Sequence, residues 1–220
     1  MKSYKTLLKS ASDEYIVQKS RFIGYAAPVK TQEEALSFLE QIRQKHRDAR
    51  HNCFAYIIGQ NAGIMRYSDD GEPGGTAGMP IIEVMKARNV VDAAVVVTRY
   101  FGGILLGAGG LTRAYSHTCS LALNAAQVCE MHPTQRWFFE VAYPLWDKVQ
   151  HLLKSQPVLP ENTDFATGVT FSLLVKSTDS AALTAALTQI TDGQITALMT
   201  DEIFHPWVEN TLEEITNGLI

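Results

Sequence analysis

The sequence predicts an α+β protein of two domains, residues 1–132 and 133–220. Strand-like and helix-like apolar patterns alternate along the chain, and no low-complexity segment or short repeat interrupts them. Pro133 follows a long helix pattern, and the charge balance changes sign there. Residues 1–130 carry 15 Lys and Arg against 12 Asp and Glu, whereas residues 131–220 carry 4 against 11. The domain boundary is therefore expected near Pro133, with any surface for an anionic partner on the first domain.

The elements of the first domain follow from a capping pattern and from the spacing of apolar residues. Thr31 is followed three positions later by Glu34, which is a capping box, and helical spacing continues to about residue 47. Residues 92–100 are almost continuously apolar, as expected of a central strand buried on both faces. The other expected elements are strands at 15–17, 21–27, 52–58 and 64–68, and helices at 79–88 and 111–128.

In the second domain the expected order of elements is βαββαβ, which is that of a ferredoxin-like sandwich. Pro144 suits the first turn of a helix that continues to residue 154, and Gly193 ends a second helix that begins near Thr178. The expected strands are 137–142, a pair around 165 and 170–175 that turns near 168, and 195–199. Because this fold hosts many functions, it names none by itself.

The composition is that of an ordinary globular protein, with 46% hydrophobic and 19% charged residues. The first residues lack an apolar stretch of the signal-peptide type, and the longest apolar runs, 93–97 and 104–106, are too short to span a bilayer. Cys53, Cys119 and Cys129 lack metal-type spacing and are best explained as buried thiols in a reducing compartment. We therefore expect a cytoplasmic protein with no membrane association and with no metal or cofactor.

Residues 69–78, Asp-Asp-Gly-Glu-Pro-Gly-Gly-Thr-Ala-Gly, form the most informative segment of the chain. Glycine spreads over left-handed conformations and proline removes a hydrogen-bond donor, so this composition excludes a regular element. The apolar pattern resumes at Met79, and the loop thus leads into a helix. The bare amides of Gly74, Gly75 and Thr76 are candidate ligand donors. A segment that only builds core has no need of such a loop, which therefore predicts a binding site.

The carboxylates of this loop, Asp69, Asp70 and Glu72, admit two interpretations. Arg99 stands at the end of the buried strand 92–100 and needs a partner, for which Asp69 or Asp70 is the candidate. Alternatively, the carboxylates ligate Mg²⁺ or Ca²⁺, although the spacing of an EF-hand is absent.

A second glycine-rich segment, residues 102–113, is expected to run from a strand end into a helix N-terminus. Unpaired amides at Gly109 and Gly110 and the helix dipole make such a place a natural anion site, to which Thr112 and Arg113 add a hydroxyl and a guanidinium. The segment has neither the lysine of a P-loop nor the acidic partner of a dinucleotide loop. The alternative is that these glycines only allow close packing of helix and strand. We expect the two glycine-rich loops to lie side by side and form one groove.

Three further polar side chains complete the candidate set. His117 follows Arg113 by four residues and shares its helix face, and Arg50 and His51 open a strand. A catalytic dyad of Cys53 and His51 is disfavoured, because residues two apart on a strand share a face without converging and no orienting third group is evident.

Three motifs resemble the core of the IMPACT family. They are Arg-His-Asn-Cys-Phe-Ala-Tyr at 50–56, Tyr-Ser-Asp-Asp-Gly-Glu-Pro-Gly-Gly-Thr-Ala-Gly at 67–78 and Val-Val-Thr-Arg-Tyr-Phe-Gly-Gly at 96–103. The motifs occur in the family's order, and the middle one is long and specific. The resemblance spans roughly residues 15–130, and the second domain is similar to that of bacterial two-domain members.

The resemblance implies an RNase PH-like core domain, of the α/β type seen in ribosomal and phosphate-binding proteins. It also implies a second domain similar to the last domain of elongation factor G. Eukaryotic members restrain a stress-responsive translation kinase by competing for its co-activator, much of which is attributed to an extra N-terminal domain. The core pattern here starts by Tyr15, which leaves no room for that domain. A role in translation is thus implied, and the kinase-pathway role is not.

These observations favour a non-enzymatic regulator that binds RNA, a ribosome, a translation factor or another phosphate-bearing ligand in a glycine-rich groove. The alternative is a nucleotide or small-molecule phosphate enzyme that uses Asp69 or Asp70 as a base or metal ligand. A missing P-loop lysine and the lack of a nucleophile–base pair favour the binding protein. Tyr67, Tyr100 and Phe101 are available to stack on bases. The expected ligand-binding residues are Arg50, His51, Tyr67, Asp69, Asp70, Glu72, Gly74, Gly75, Thr76, Arg99, Tyr100, Gly109, Gly110, Thr112, Arg113 and His117.

Overall fold

A computed structural model describes residues 2–207 of the chain. It divides into two compact units, of which the first is Tyr4–Glu130. The second unit contains residues 2–3 and 131–207 of the described part. Within the described residues no helix is both long and apolar enough to cross a membrane.

The first unit contains a five-stranded antiparallel sheet in the order β2-β3-β6-β4-β5. Its strands are β2 (Ala11–Val17), β3 (Ser20–Pro28), β4 (His51–Ile58), β5 (Ile64–Ser68) and β6 (Ala93–Tyr100), preceded in the chain by the short strand β1 (Tyr4–Leu7). The central strand β6 pairs with β3 on one side and with β4 on the other, and His51 lies opposite Arg99 in that register. The register brings the two sequence motifs that contain these residues to one end of the sheet.

Helices cover both faces of this sheet. They are α1 (Gln32–Lys45), α2 (Gly78–Ala87) and α3 (Gly107–Ala125). On β6, Val95 and Val97 join the core built with α2 and α3, whereas Ala94 and Val96 join the clusters built with α1. The alternation confirms the prediction of a central strand buried on both faces. Thr31 also caps α1 as predicted, accepting a hydrogen bond from the backbone N–H of Glu34 at 3.2 Å.

The structure differs from the prediction around the second glycine-rich segment. Helix α3 already begins at Gly107, so Gly109 and Gly110 belong to its first turn and not to a loop. The helix ends at Ala125, where a residue in left-handed conformation, Gln127 at φ +59°, follows its C-cap. The low helix propensity of the glycines is overridden because the apolar side chains that follow, Leu111 among them, pack into the core.

The structure also differs from the prediction around Pro133, where the strand expected at 137–142 begins earlier. A single strand, β7 (Val128–Val141), runs through it. Proline has no N–H to donate to a neighbouring strand. The carbonyl oxygen of Pro133 still accepts a hydrogen bond, from the backbone N–H of Ser177 at 2.9 Å. β7 is therefore one continuous strand from residue 128 to residue 141.

The second unit contains β7, two helices and three further strands in the order βαββαβ. After β7 come α4 (Tyr143–Leu153), β8 (Val158–Phe165), β9 (Val169–Lys176), α5 (Ser180–Ile190) and β10 (Ile195–Pro206). The sheet order is β10-β7-β9-β8 with antiparallel neighbours. Phe139 and Phe171 from the sheet form one core with Val149 of α4 and with Leu183 and Leu187 of α5.

Candidate functional site

The acidic loop is held together by the first of its carboxylates. Asp69 accepts hydrogen bonds from the backbone N–H groups of Gly75 at 2.8 Å, Ala77 at 3.0 Å and Gly78 at 2.8 Å. The last two amides begin α2, whose N-cap residue makes no side-chain hydrogen bond of its own. Asp69 therefore caps this helix from outside and satisfies donors that would otherwise lack partners.

The second carboxylate fastens the loop to the sheet. One oxygen of Asp70 accepts from the backbone N–H of Asn52 at 2.7 Å, and the other lies 3.4 Å from the guanidinium of Arg43. Its backbone carbonyl oxygen accepts from Nδ1 of His51 at 2.8 Å, which leaves Nε2 of this imidazole as the nitrogen free of that bond. Asp70 thus positions the ring of His51 at the start of β4.

Glu72 is the partner of Arg99, which corrects the prediction of Asp69 or Asp70. Nη1 of Arg99 donates to the two carboxylate oxygens of Glu72 at 2.7 and 2.9 Å, and the two side chains are only 7% and 3% exposed. The hydroxyl of Tyr115 donates to Glu72 at 2.7 Å and lies 3.4 Å from Sγ of Cys53. Burial raises the pKa of Tyr115, and it raises the pKa of Cys53 to about 12, so both groups stay protonated.

These contacts show that the acidic loop is a structural device built from its own carboxylates. Two of the predicted ligand donors are also used within the loop. The N–H of Gly75 donates to Asp69, and the hydroxyl of Thr76 donates to the carbonyl of Pro73 at 2.6 Å. Gly74 is exposed. No group of three or more His, Cys, Asp or Glu side chains suited to a metal ion occurs in the part of the chain that the structure describes. The side chains of Asp69 and Asp70 are thus engaged in the hydrogen bonds that hold the loop.

A cleft of about 440 Å³ opens at the end of the sheet where β6 stops and β4 begins. We call it the cleft; it is lined by Asp48, Arg50, His51, Arg99, Tyr100, Phe101 and Leu105. Four of the predicted ligand-binding residues therefore come together here, namely Arg50, His51, Arg99 and Tyr100. Sequence reasoning missed Asp48 and Leu105, although both lie within five residues of a motif that it had identified.

Arg99, in the lining of the cleft, lies over two aromatic rings. Its guanidinium carbon lies 5.4 Å from the ring centre of Phe22 and 5.6 Å from that of Phe101. Phe22 is fully buried, whereas Phe101 is 54% exposed. Nε of Arg99 is buried and has no hydrogen-bond partner within residues 2–207. Since Glu72 compensates the charge of Arg99, the exposed Arg50 is the more accessible arginine of the cleft, which also contains the carboxylate of Asp48.

A chain of hydrogen bonds ends at the rim of the cleft. The hydroxyl of Tyr100 donates to Asp48 at 2.9 Å, and Nδ1 of His46 lies 2.9 Å from the same hydroxyl. Nε2 of His46 lies 2.6 Å from the hydroxyl of Tyr25. Because the hydroxyl of Tyr100 donates its hydrogen bond to Asp48, Nδ1 of His46 must donate to that hydroxyl. Nε2 of His46 then accepts from the hydroxyl of Tyr25. Burial lowers the pKa of His46, which keeps the imidazole neutral and suited to this arrangement.

The remaining predicted residues lie elsewhere. Besides the six predicted residues of the acidic loop, six others do not line the cleft, namely Tyr67, Gly109, Gly110, Thr112, Arg113 and His117. The ring of His117 packs on that of Tyr15 at 4.6 Å, and Arg113 is exposed on α3. At Gly102 a Cβ atom would stand 2.0 Å from the backbone carbon of Lys19, so this glycine allows a close approach to the turn between β2 and β3.

Comparisons with known proteins agree in pointing to one family. The sequence model of the Impact N-terminal domain matches residues 18–123, and that of a domain of unknown function, DUF1949, matches residues 139–194. IMPACT family member YvyE of Bacillus subtilis is 39% identical over 192 residues, which are 87% of this chain and 88% of that protein. IMPACT family member YigZ of Escherichia coli is 32% identical over 84% of this chain and 92% of that protein.

Two further matches extend the comparison. Protein IMPACT of Mus musculus is 35% identical over 95 residues, which are 41% of this chain and 29% of that protein. A crystal structure described only as that of a hypothetical protein superposes with a TM-score of 0.58 at 30% identity, covering 91% of this chain and 98% of that one. All residues that line the cleft fall within the Impact N-terminal domain match.

Proposed function

The chain belongs to the IMPACT family, and from this premise we propose that it is a non-enzymatic, translation-associated protein that binds RNA through the cleft of its first unit. The link to translation comes from the role that the family resemblance implies for eukaryotic members. The binding site comes from this chain, because the cleft lies in the part that the Impact N-terminal domain model matches.

The proposed folds of the two units support an association with the translation apparatus. For the second unit, a ferredoxin-like sandwich is supported by the element order βαββαβ and by the antiparallel sheet order β10-β7-β9-β8. For the first, an RNase PH-like core is proposed from the family resemblance, and the two helical layers on a mixed-length antiparallel sheet are compatible with it. Fold alone does not carry the function, which rests on the site.

The observation that carries the proposal is the convergence of cationic and aromatic side chains in one cleft. Arg50 supplies donors for phosphate oxygens, and Phe101 supplies an exposed ring in the same cleft. Guanidinium groups and aromatic faces are the two groups with which proteins bind flexible nucleic acid strands.

The alternative of a phosphate enzyme finds less support in the geometry. Asp69 and Asp70, its proposed base or metal ligands, are occupied by amide donors of the loop and of β4. The thiol of Cys53 has a pKa raised by burial to about 12 and donates to a backbone carbonyl at 2.9 Å, so it is no activated nucleophile.

The direct test is the affinity of Arg50→Ala for a fluorescently labelled RNA oligonucleotide across a series of salt concentrations. Arg50 is exposed, so its removal leaves the fold intact, unlike that of buried Arg99. We expect weaker binding and a log–log salt slope smaller by about 0.7, the value for one lost phosphate contact on a single strand. Arg66→Ala is the matched control, since Arg66 is an exposed arginine of the same unit outside the cleft.

Equal affinity and equal salt slope in Arg50→Ala and in the unmodified protein would refute the cleft as the RNA site. Co-purification of the unmodified chain with a translation factor in the absence of RNA would refute RNA as the ligand. Arg113→Ala reports whether the strand also passes along α3, because this exposed arginine does not line the cleft.

A further inference from the structure

The cleft contains an arginine that lies over two aromatic rings, one of which is exposed. Arg99 lies over two rings, Phe22 on its buried side and Phe101 on its solvent side. The bonds from Glu72 fix the guanidinium, and the guanidinium in turn supports one face of the Phe101 ring. With 54% of Phe101 exposed, the ring is held in place for a further planar partner.

The surroundings of the open ring face define the chemistry of that partner. Leu105, 85% exposed, stands with Phe101 in the lining of the same cleft, which makes one wall apolar. Arg50 lines it as well, so a cationic donor stands within the same small volume. A volume of about 440 Å³ suits a single nucleotide, since it lies at the low end of the range of small-ligand pockets.

We propose that the cleft takes one unpaired nucleotide of a single-stranded RNA, with the base stacked on Phe101 and the phosphate bound by Arg50. This inference rests on the proposed function and makes it specific. A base inside a double helix has both faces covered by its neighbours, so it offers no face to Phe101. The cleft therefore selects single strands, loops or ends over helical RNA.

Stacking and charge contribute to binding in separable ways. Stacking of a base on an aromatic side chain tolerates any sequence and involves no release of counterions. Removal of Phe101 should therefore lower affinity without changing the salt slope, whereas removal of Arg50 lowers both. The support from Arg99 makes Phe101 a better platform than an exposed phenylalanine without such a partner.

The experiment compares a labelled single-stranded hexanucleotide with a blunt RNA duplex of the same sequence, using the full chain. We expect the single strand to bind at least 10-fold more tightly than the duplex. Phe101→Ala should weaken single-strand binding by on the order of 10-fold or more, at unchanged salt slope, and Phe101→Trp should restore it. Phe165→Ala is the control, because Phe165 is 57% exposed and lies in the second unit.

The outcomes separate this inference from the proposed function. Equal binding of single strand and duplex, both weakened by Arg50→Ala and neither by Phe101→Ala, would overturn the inference while RNA binding by the cleft stands. Binding of neither RNA would overturn both. A single-strand preference that disappears in Phe101→Ala and returns in Phe101→Trp, with circular dichroism unchanged, supports the inference.

Discussion

Replacement of Glu72 should lower the unfolding free energy of the first unit by more than the loss of an exposed ion pair does. Glu72→Ala leaves the guanidinium of Arg99, 7% exposed, without the two contacts at 2.7 and 2.9 Å. It also leaves the hydroxyl of Tyr115 without its acceptor at 2.7 Å. Breaking a buried ion pair by removing one partner costs about 3–5 kcal/mol, because the other charge stays buried and uncompensated. For a chain of this size, that corresponds to a fall in Tm of about 6–20 °C.

The assay is urea denaturation followed by tyrosine absorbance. Seven of the eight tyrosines precede residue 131, so this signal follows the first unit, while tryptophan emission follows the second, where all three tryptophans lie. Glu14→Ala serves as the control, since the pair of Glu14 and Arg21 is about half exposed, and its loss should cost less than about 1 kcal/mol.

A double substitution tests the physical reason. Glu72→Leu combined with Arg99→Met removes both charges and replaces them with apolar groups, which should cost less than either single change. Two results would refute the reasoning. One is a cost for Glu72→Ala no larger than that for Glu14→Ala. The other is a double variant as unstable as the sum of its single changes.

Three other predictions address the loop, the histidine and the thiols. Gly78→Val should lower the unfolding free energy by about 1–3 kcal/mol, because its Cβ would stand 2.6 Å from the carbonyl oxygen of Ser68. Gly74→Ala, with no atom within 4 Å of the new Cβ, should be close to neutral, and equal unfolding free energies for the two variants would contradict this. Since burial lowers the pKa of His46, the folded state binds a proton less readily than the unfolded one. The contribution of this group to stability should be full above about pH 6.5 and decline as pH falls below it. His46→Gln should reduce this dependence of the unfolding free energy on pH, measured by urea titrations at successive pH values. Burial raises the pKa of Cys53 and Cys119 to about 12, so a thiol reagent should label them slowly in the native protein and fully only in urea, and rapid native labelling would show that they are accessible.

The elements that the sequence predicts well are those in which local pattern and tertiary burial agree. The apolar alternation of β6 and the capping box of α1 need only neighbouring residues, and the structure reproduces both. The start of α3 at Gly107 was missed because local propensity opposes a helix there and core packing overrides it. The strand through Pro133 was missed for the same kind of reason. Proline usually interrupts a strand, but here its carbonyl oxygen accepts a hydrogen bond from the backbone N–H of Ser177.

The site was predicted in part, and the division has a physical basis. Strand register places His51 opposite Arg99, and Arg50 and Tyr100 are their neighbours in the chain. The partner of Arg99 is not accessible to such reasoning. Three carboxylates lie within four residues of the loop, and only the fold decides that Glu72, 27 residues away in sequence, turns inward.

The hold on Asp70 has a consequence for the chemical ageing of the chain. Asp70 precedes Gly71, a pair in which the glycine nitrogen readily attacks the side-chain carbonyl carbon to form a succinimide and then isoaspartate. In the folded protein, the amide of Asn52 and the guanidinium of Arg43 hold the Asp70 carboxylate, and left-handed backbone at φ +42° and +85° fixes the pair. The folded loop therefore shields this bond, and isoaspartate at position 70 would record how long a molecule had spent with the loop open.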